Sequence, residues 1–343
     1  MTFTNLTDRE KQILKALIDQ YISSAEPVGS SVLAQKCGLS LSSATIRNIL
    51  KDLEDRELVM QPHTSAGRIP TTLGYRLYVD YLLRPEKLTK SDKEKIQANI
   101  NLEFKGIDQV LEQTSRVLGN VSMQLGITIS PRFESGVLTR LELIQVADRR
   151  VMVVLAMKSG LARTVILEVE SELKEKGLVE TSYILNELLC GLTIGEIKNS
   201  LKERLATPTS GDPYLIKMFI ESSEELLKFS DEFDLHLGGT HHILSQPEFQ
   251  DPVRIRELID LIEERRTVYE LVSNAGVDGT TIMVGVGGKR GGSAEELSLL
   301  SATYLAGRFK GTLGIIGPTR MPYSRLLGIV NFTAKRLSEV LSE

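Results

Sequence analysis

Five side chains in one short segment, Ser43, Thr45, Arg47, Asn48 and Lys51, have the chemistry to read a nucleic acid. Serine, threonine and asparagine offer short donors and acceptors, arginine a rigid fork of donors, and lysine a point charge. These are the types that contact base edges and phosphates in the major groove. Their spacing supports the same chemistry. Ile46, Ile49, Leu50 and Leu53 recur at i, i+3, i+4 and i+7, the signature of one apolar helix face. At about 100° per residue the opposite side carries Ala44, Arg47, Asn48 and Lys51, with Ser43 and Thr45 near its N-terminal end. An ordinary solvated helix face would show the same pattern, so the neighbouring elements have to decide.

Other candidate sites in the chain are weaker. The run Gly285-Val286-Gly287-Gly288-Lys289-Arg290-Gly291-Gly292 looks like a phosphate cradle. A P-loop needs glycine where Met283 stands and serine or threonine where Arg290 stands, and a dinucleotide fingerprint started at Gly285 also fails at Arg290. A connection between two strands is the better reading. His236, His241 and His242, with Asp234 nearby, could gather around a metal, but strand alternation would put His241 and His242 on opposite faces. No metal or other cofactor is therefore expected. Neither Cys37 nor Cys190 has a neighbouring histidine, and no GxSxG elbow occurs, so no enzyme is expected either.

The elements that must position the five donors are legible around them. Thr7-Asp8-Arg9-Glu10 is a capping box, and Ile13, Leu14, Leu17, Ile18, Tyr21 and Ile22 form the stripe of a first helix. Glu26-Pro27-Val28-Gly29 ends it, and a short second helix follows over about Ser30–Lys36, burying Val32 and Leu33. The turn at Gly38-Leu39-Ser40 leads into a third helix over about Ser42–Arg56. Two helices joined by a short glycine-containing turn are a helix-turn-helix. Leu58-Val59-Met60 then reads as a strand and Arg68-Ile69 as its short return, with Gln61–Gly67 as the loop between. That order is a winged helix. His63, Ser65 and Arg68 are the wing's candidates for DNA contact, Arg68 reaching a phosphate or the minor groove. The competing role for Arg68 is a surface arginine or a clamp on Asp52 or Glu54.

Charge gives this reading no help: the chain carries a net charge of -4, and residues 1–83 hold nine basic and nine acidic side chains. DNA binding here must depend on where charges sit. At 343 residues the chain is long enough for two or three domains. It has no apolar run of membrane-spanning length, its N-terminus lacks the apolar core of a signal peptide, and its two cysteines form no CxxC pair, so a cytoplasmic protein is expected.

Thr71 or Thr72 should cap a helix carrying Tyr75, Tyr78, Val79 and Leu82, which Pro85 ends. A polar hinge runs from Pro85 to Asp92, and a long helix through Ile107, Val110, Leu111, Thr114, Val117, Leu118 and Val121 follows. It packs on a sheet or on a twin helix, and the strands that follow favour the sheet. Three β-rich runs lie near 138–147, 151–157 and 162–168, three more near 281–286, 297–304 and 312–317, and a last helix runs over about Tyr323–Leu341. Between them, about 170–265 is mainly helical, with a short strand pair near Phe233–Leu237 and His241–Leu244. Six strands interrupted by a helix-rich stretch imply an α+β domain with an insert.

Three runs carry a family resemblance: Glu26-Pro27-Val28-Gly29-Ser30, Ser43-Ala44-Thr45-Ile46-Arg47-Asn48, and the long, compositionally odd Gln61-Pro62-His63-Thr64-Ser65-Ala66-Gly67-Arg68-Ile69-Pro70-Thr71. With Gly311-Thr312-Leu313-Gly314-Ile315-Ile316-Gly317-Pro318-Thr319-Arg320-Met321 near the other end, the chain resembles the HrcA heat-inducible repressors over nearly its whole length. The resemblance implies a winged helix-turn-helix over 1–83, a discontinuous GAF-like domain over 84–170 and 251–343, and a helix-rich dimerising insert over 171–250. It further implies a homodimer on double-stranded DNA, binding an inverted-repeat operator called CIRCE upstream of chaperone operons. The GroEL chaperonin would keep the repressor competent to bind. The alternative function is a metabolite-responsive regulator whose GAF-like pocket binds a small ligand.

Overall fold

Thr7 starts the first element as its sequence requires: its hydroxyl accepts from the Glu10 N–H at 3.3 Å while its own N–H donates to the Glu10 carboxylate at 2.6 Å. The computed structural model describes residues 6–36, 41–101, 107–131, 136–158, 162–169, 175–206, 210–227, 234–274, 279–286 and 297–342. Helix α1 (Asp8–Ser24), α2 (Ser30–Lys36) and α3 (Ser43–Asp55) pack through Ile13, Leu14, Leu17, Ile18, Leu33, Ile46, Leu50 and Leu53. The turn expected at Gly38-Leu39-Ser40 lies outside the described residues. The wing is the antiparallel pair β1 (Val59–Met60) and β2 (Ile69–Pro70). Helix α4 (Thr72–Leu77), capped by the Thr71 hydroxyl, runs on through a π-turn over Tyr78–Leu82.

The body is built on a five-stranded antiparallel sheet. Its order is β7 (Leu235–Gly238), β3 (Leu125–Ile129), β10 (Phe309–Pro318), β9 (Leu297–Ala306) and β8 (Thr280–Val284). α5 (Lys90–Asn99), α6 (Ile107–Ser122) and α14 (Tyr323–Val340) pack together on one side of it. Leu125, Ile127, Ile129, Leu299 and Ile316 form a second core with Ile243 of α11 (Thr240–Leu244), Leu258 of α12 (Pro252–Glu263), and Val268 and Val272 of α13 (Arg265–Asn274). β3 is buried on both faces: Leu125, Ile127 and Ile129 enter the second core, while Gly126 and Thr128 face α6. α6 lies close against the sheet because Gly126 has no side chain: a Cβ there would sit 2.1 Å from the Ser115 carbonyl oxygen.

A separate three-stranded sheet holds β4 (Leu138–Ala147), β5 (Arg150–Met157) and β6 (Ala162–Glu168). It shares its own core with α7 (Glu175–Leu189), α8 (Ile194–Arg204), α9 (Pro213–Glu221) and α10 (Ser223–Leu226). Asn186 both donates to and accepts from the Leu141 backbone, and Ser182 accepts the Leu143 N–H, so α7 closes the free edge of β4.

Several expectations are corrected by this arrangement. The six expected strands fall in two sheets, and the first three belong with the helices of the inserted unit. Their shared core takes in side chains from Leu138 to Leu227, together with Phe309. β7 instead joins the five-stranded sheet, and α11 packs on that sheet through Ile243. Period-2 alternation identifies a strand but carries no information about which sheet it joins. His241–Leu244 is the helix α11, entered through Gly239 at φ 78, where a second strand was expected. β3 was missed because its apolar run follows α6 directly through Met123 at φ 58, with no turn residues to mark the boundary. Polar α5 was missed for want of a stripe: Ile96 is its one buried apolar side chain. The long helix 107–121 packs on the sheet, as its sequence setting favoured.

Candidate nucleic-acid interface

The third helix presents the expected face. Ile46, Leu50 and Leu53 are buried, whereas Ala44, Arg47, Asn48 and Lys51 are exposed. Ser42 caps the helix by accepting the Thr45 N–H at 3.1 Å, and its hydroxyl lies 2.9 Å from that of Thr45. The Ser43 hydroxyl lies 2.9 Å from that of Ser30 and ties α3 to α2. Ser43 and Thr45 thus order the helix start, while Arg47, Asn48 and Lys51 point to solvent.

Beside that face stands the wing, held by a device the sequence left unread. Val28 and Arg68 exchange two backbone hydrogen bonds of 2.9 Å, which fastens the loop after α1 to the base of β2. Such close approach needs Gly67, where a Cβ would meet the Val28 carbonyl carbon at 2.4 Å and its oxygen at 2.5 Å. The odd Ser-Ala-Gly-Arg run and the distant Glu-Pro-Val-Gly run are therefore two sides of one contact. Within the loop the Gln61 amide donates to the Thr64 and Ala66 carbonyls, each at 3.0 Å, leaving His63 and Ser65 exposed at the tip.

Arg68 takes the competing role named for it. Its Nε and Nη2 lie 3.0 and 2.8 Å from the Glu54 carboxylate, with the arginine side chain 19% and the glutamate 31% exposed. The guanidinium clamps wing to reading helix. Similarly, Arg56 reaches Glu10 at 3.4 Å. Burial opposes ionisation of Glu10, but the Thr7 N–H, the Thr7 hydroxyl and Arg56 outweigh it and hold the carboxyl below its ordinary range. These pairs neutralise Glu54 and Glu10 within the unit.

Two arginines outside the expected set join this unit to the body. The Arg320 guanidinium donates to Glu248 at 2.6 Å and to the Ile22 carbonyl of α1 at 2.8 Å, and Arg76 donates to the Val284 carbonyl at 3.1 Å. Arg320 lies in a motif the sequence singled out, but nothing in that motif names partners so far away.

The family described as winged helix-turn-helix transcription repressor, HrcA DNA-binding, matches residues 5–80, and the HrcA protein C terminal domain matches residues 108–327. The chain belongs to the HrcA family. Heat-inducible transcription repressor HrcA of Chlorobium phaeobacteroides (strain BS1) is 36% identical over 353 residues, covering 100% of both chains. That of Chlorobium luteolum is 38% identical, covering 98% of this chain and 97% of its own, and that of Geobacter sulfurreducens 36%, covering 98% and 99%. A crystal structure of a hypothetical protein superposes with a TM-score of 0.65 at 24% identity, covering 98% of this chain and 99% of its own, and shows the fold alone. HrcA chains are transcription repressors, which is not an enzyme class. Among the described residues no helix is long and apolar enough to cross a membrane.

Proposed function

We propose that this HrcA chain represses transcription as a homodimer whose two winged helices read the halves of an inverted-repeat operator of the CIRCE kind. The observation that carries the reading is the solvent-facing row Arg47, Asn48 and Lys51 on α3, set beside a wing that Gly67 and Arg68 hold in place. Arg47 and Asn48 contact base edges, Lys51 a phosphate, and His63 and Ser65 the backbone or minor groove at the wing tip. Ser43 and Thr45 contribute through the helix start, and Arg68 as the clamp.

Dimerisation through the inserted unit is supported by its exposed apolar groups. Ile144 and Ile166 flank Met152 in one cross-strand row on the sheet, and Val179 and Tyr183 stand one turn apart on α7, 65% and 69% exposed. Apolar surface of this kind is what an isologous interface covers. The GroEL chaperonin, as the family resemblance implies, keeps the active population up, and the cytoplasm is the compartment where it and the operator meet.

Footprinting the full chain on chaperone promoters of its own genome, with and without GroEL, tests this. Protection of both half-sites, strengthened by GroEL, is expected. Arg47→Ala should cost about 1–3 kcal/mol on that site and much less on unrelated DNA. Equal losses on both would make Arg47 a phosphate contact, and no protection at all would end the reading.

A further inference from the structure

One group of side chains in the body has no part in reading DNA. Asp108 in the first turn of α6, and Asp234 and His236 at the start of β7, bring one potential ligand atom each to within 4.8 Å of one another. The packing of α6 on the sheet explains how they meet. Gly126 of β3 lies under Ser115, and two residues along the strand the Thr128 hydroxyl donates to the Leu111 carbonyl at 2.9 Å. Two further residues along, Ser130 comes level with the Asp108 turn of the helix. Across the ladder Thr128 pairs with His236, and the Ser130 N–H donates to the Asp234 carbonyl. Residues opposite one another in an antiparallel pair share a face, so Ser130, Asp234 and His236 all project toward α6.

Among the described residues, two polar atoms on that face have no hydrogen-bond partner. Ser130 Oγ is buried without a hydrogen bond in a residue only 5% exposed, and His236 Nε2 is likewise buried and unbonded, 3.7 Å from Asp234 Oδ1. Native proteins seldom leave such atoms unmatched, and an ion is one way of matching them. The surroundings are electronegative: burial raises the Tyr304 hydroxyl's pKa, and the charges of Asp234 and Asp108 add to the effect.

We propose that Asp108, Asp234 and His236, with Ser130 beside them, form a binding site for a first-row divalent metal ion of the zinc type. Two carboxylates and an imidazole suit such an ion, whereas magnesium and calcium take oxygen ligands alone. Ligand bonds of about 2.0–2.2 Å require the three side chains to draw closer. Asp108 is the exposed member of the three. The ion ties the start of α6 to β7, the strand on which the chain re-enters the main sheet after the inserted unit. His241 and His242, whose tilted rings lie 3.9 Å apart, take no part; His242 Nε2 faces Asn120 Oδ1 at 3.1 Å.

The test uses the full chain, stripped with chelator and titrated with Co(II) and then Zn(II) in the absence of DNA, so that its failure leaves the operator reading untouched. One equivalent of Co(II) should give visible d–d absorption, Zn(II) should displace it, and Zn(II) should raise the Tm. His236→Asn and Asp108→Asn should each weaken binding by about tenfold or more, since loss of a ligand costs no less than loss of its supporting partner. The His241→Asn/His242→Asn double variant should bind unchanged. Because Asp108 is exposed, its substitution carries the test if the His236 variant misfolds. Absence of saturable binding would overturn the site. So would binding that survives Asp108→Asn and disappears with His241 and His242.

Discussion

Removing both members of the Arg68–Glu54 pair decides whether Arg68 clamps the wing or holds DNA. The pair is partly buried, with Nε and Nη2 of the arginine on one carboxylate oxygen at 3.0 and 2.8 Å. Exposed pairs couple by about 0.2–1 kcal/mol, and breaking fully buried ones costs about 3–5 kcal/mol. At 19% and 31% exposure, about 1–2 kcal/mol is the expected coupling. If that energy keeps the wing docked for binding, its loss lowers operator affinity by about 5–30-fold, at about 1.4 kcal/mol per tenfold. The Arg68→Ala/Glu54→Ala variant changes no net charge, so its salt dependence compares directly with that of the parent. Fluorescence anisotropy on a labelled operator, repeated over a range of salt concentrations, should show weaker binding with an unchanged slope of log K against log salt. A slope shallower by about 0.9 would mean that Arg68 had neutralised a phosphate, and would refute the clamp.

Gly67→Ala should lower stability by about 2–4 kcal/mol, because the new Cβ meets backbone of Val28 and breaks two hydrogen bonds; thermal unfolding within a degree of the parent would show that this contact is dispensable. Arg320→Met leaves Glu248 and the Ile22 carbonyl without their donor, at about 2–4 kcal/mol, and should make the winged unit unfold ahead of the body in calorimetry. Acid should destabilise the chain through Glu10 and Asp92. Desolvation opposes ionisation of Asp92, but hydrogen bonds from Arg325 and Thr89 hold its carboxyl below the ordinary value of 3.8, as Glu10 is held below 4.5. Both contributions are complete above those values and disappear as pH falls through the lower folded ones, so Glu10→Gln should flatten the acid limb of a Tm–pH profile.

The winged helix was legible because its signals are local. A capping box, a helical stripe and a short hairpin each occupy a few consecutive residues, and each forms where the sequence placed it. The donors at 47, 48 and 51 followed from the apolar positions of α3 alone. What stayed hidden depends on pairs distant in sequence. Gly67 could be read as a turn residue but not as the place where Val28 passes. The strand runs at 138–168 were found nearly to the residue, yet their sheet was misassigned, since alternation looks the same in either sheet. His236 was weighed with its sequence neighbours, when the partner that completes the cluster is Asp108 on another element.

The same distant contacts make the reading helix answer to the body. A single core runs from Ile13 and Leu53 through Tyr75 and Tyr78 to Tyr323, Leu326 and Ile329 of α14. The Tyr75 and Tyr78 rings lie 6.2 and 6.5 Å from that of Tyr323, and Tyr78 donates to Asp19 at 2.7 Å. A reader on a flexible tether would sample many separations from its twin, and only a fraction would match two half-sites. Packed in this way, its position is set by α14 and the sheet, so the proposed dimer would hold the half-site spacing fixed and lose less orientational freedom on binding. The seam also contains a weak point. Among the described residues the Tyr75 hydroxyl is buried with no hydrogen-bond partner, a desolvation cost of about 1–3 kcal/mol that opening the seam would recover. Opening the seam would dissolve the spacing set by α14 and the sheet. In the proposed dimer on an inverted repeat, that would be enough to lose the operator.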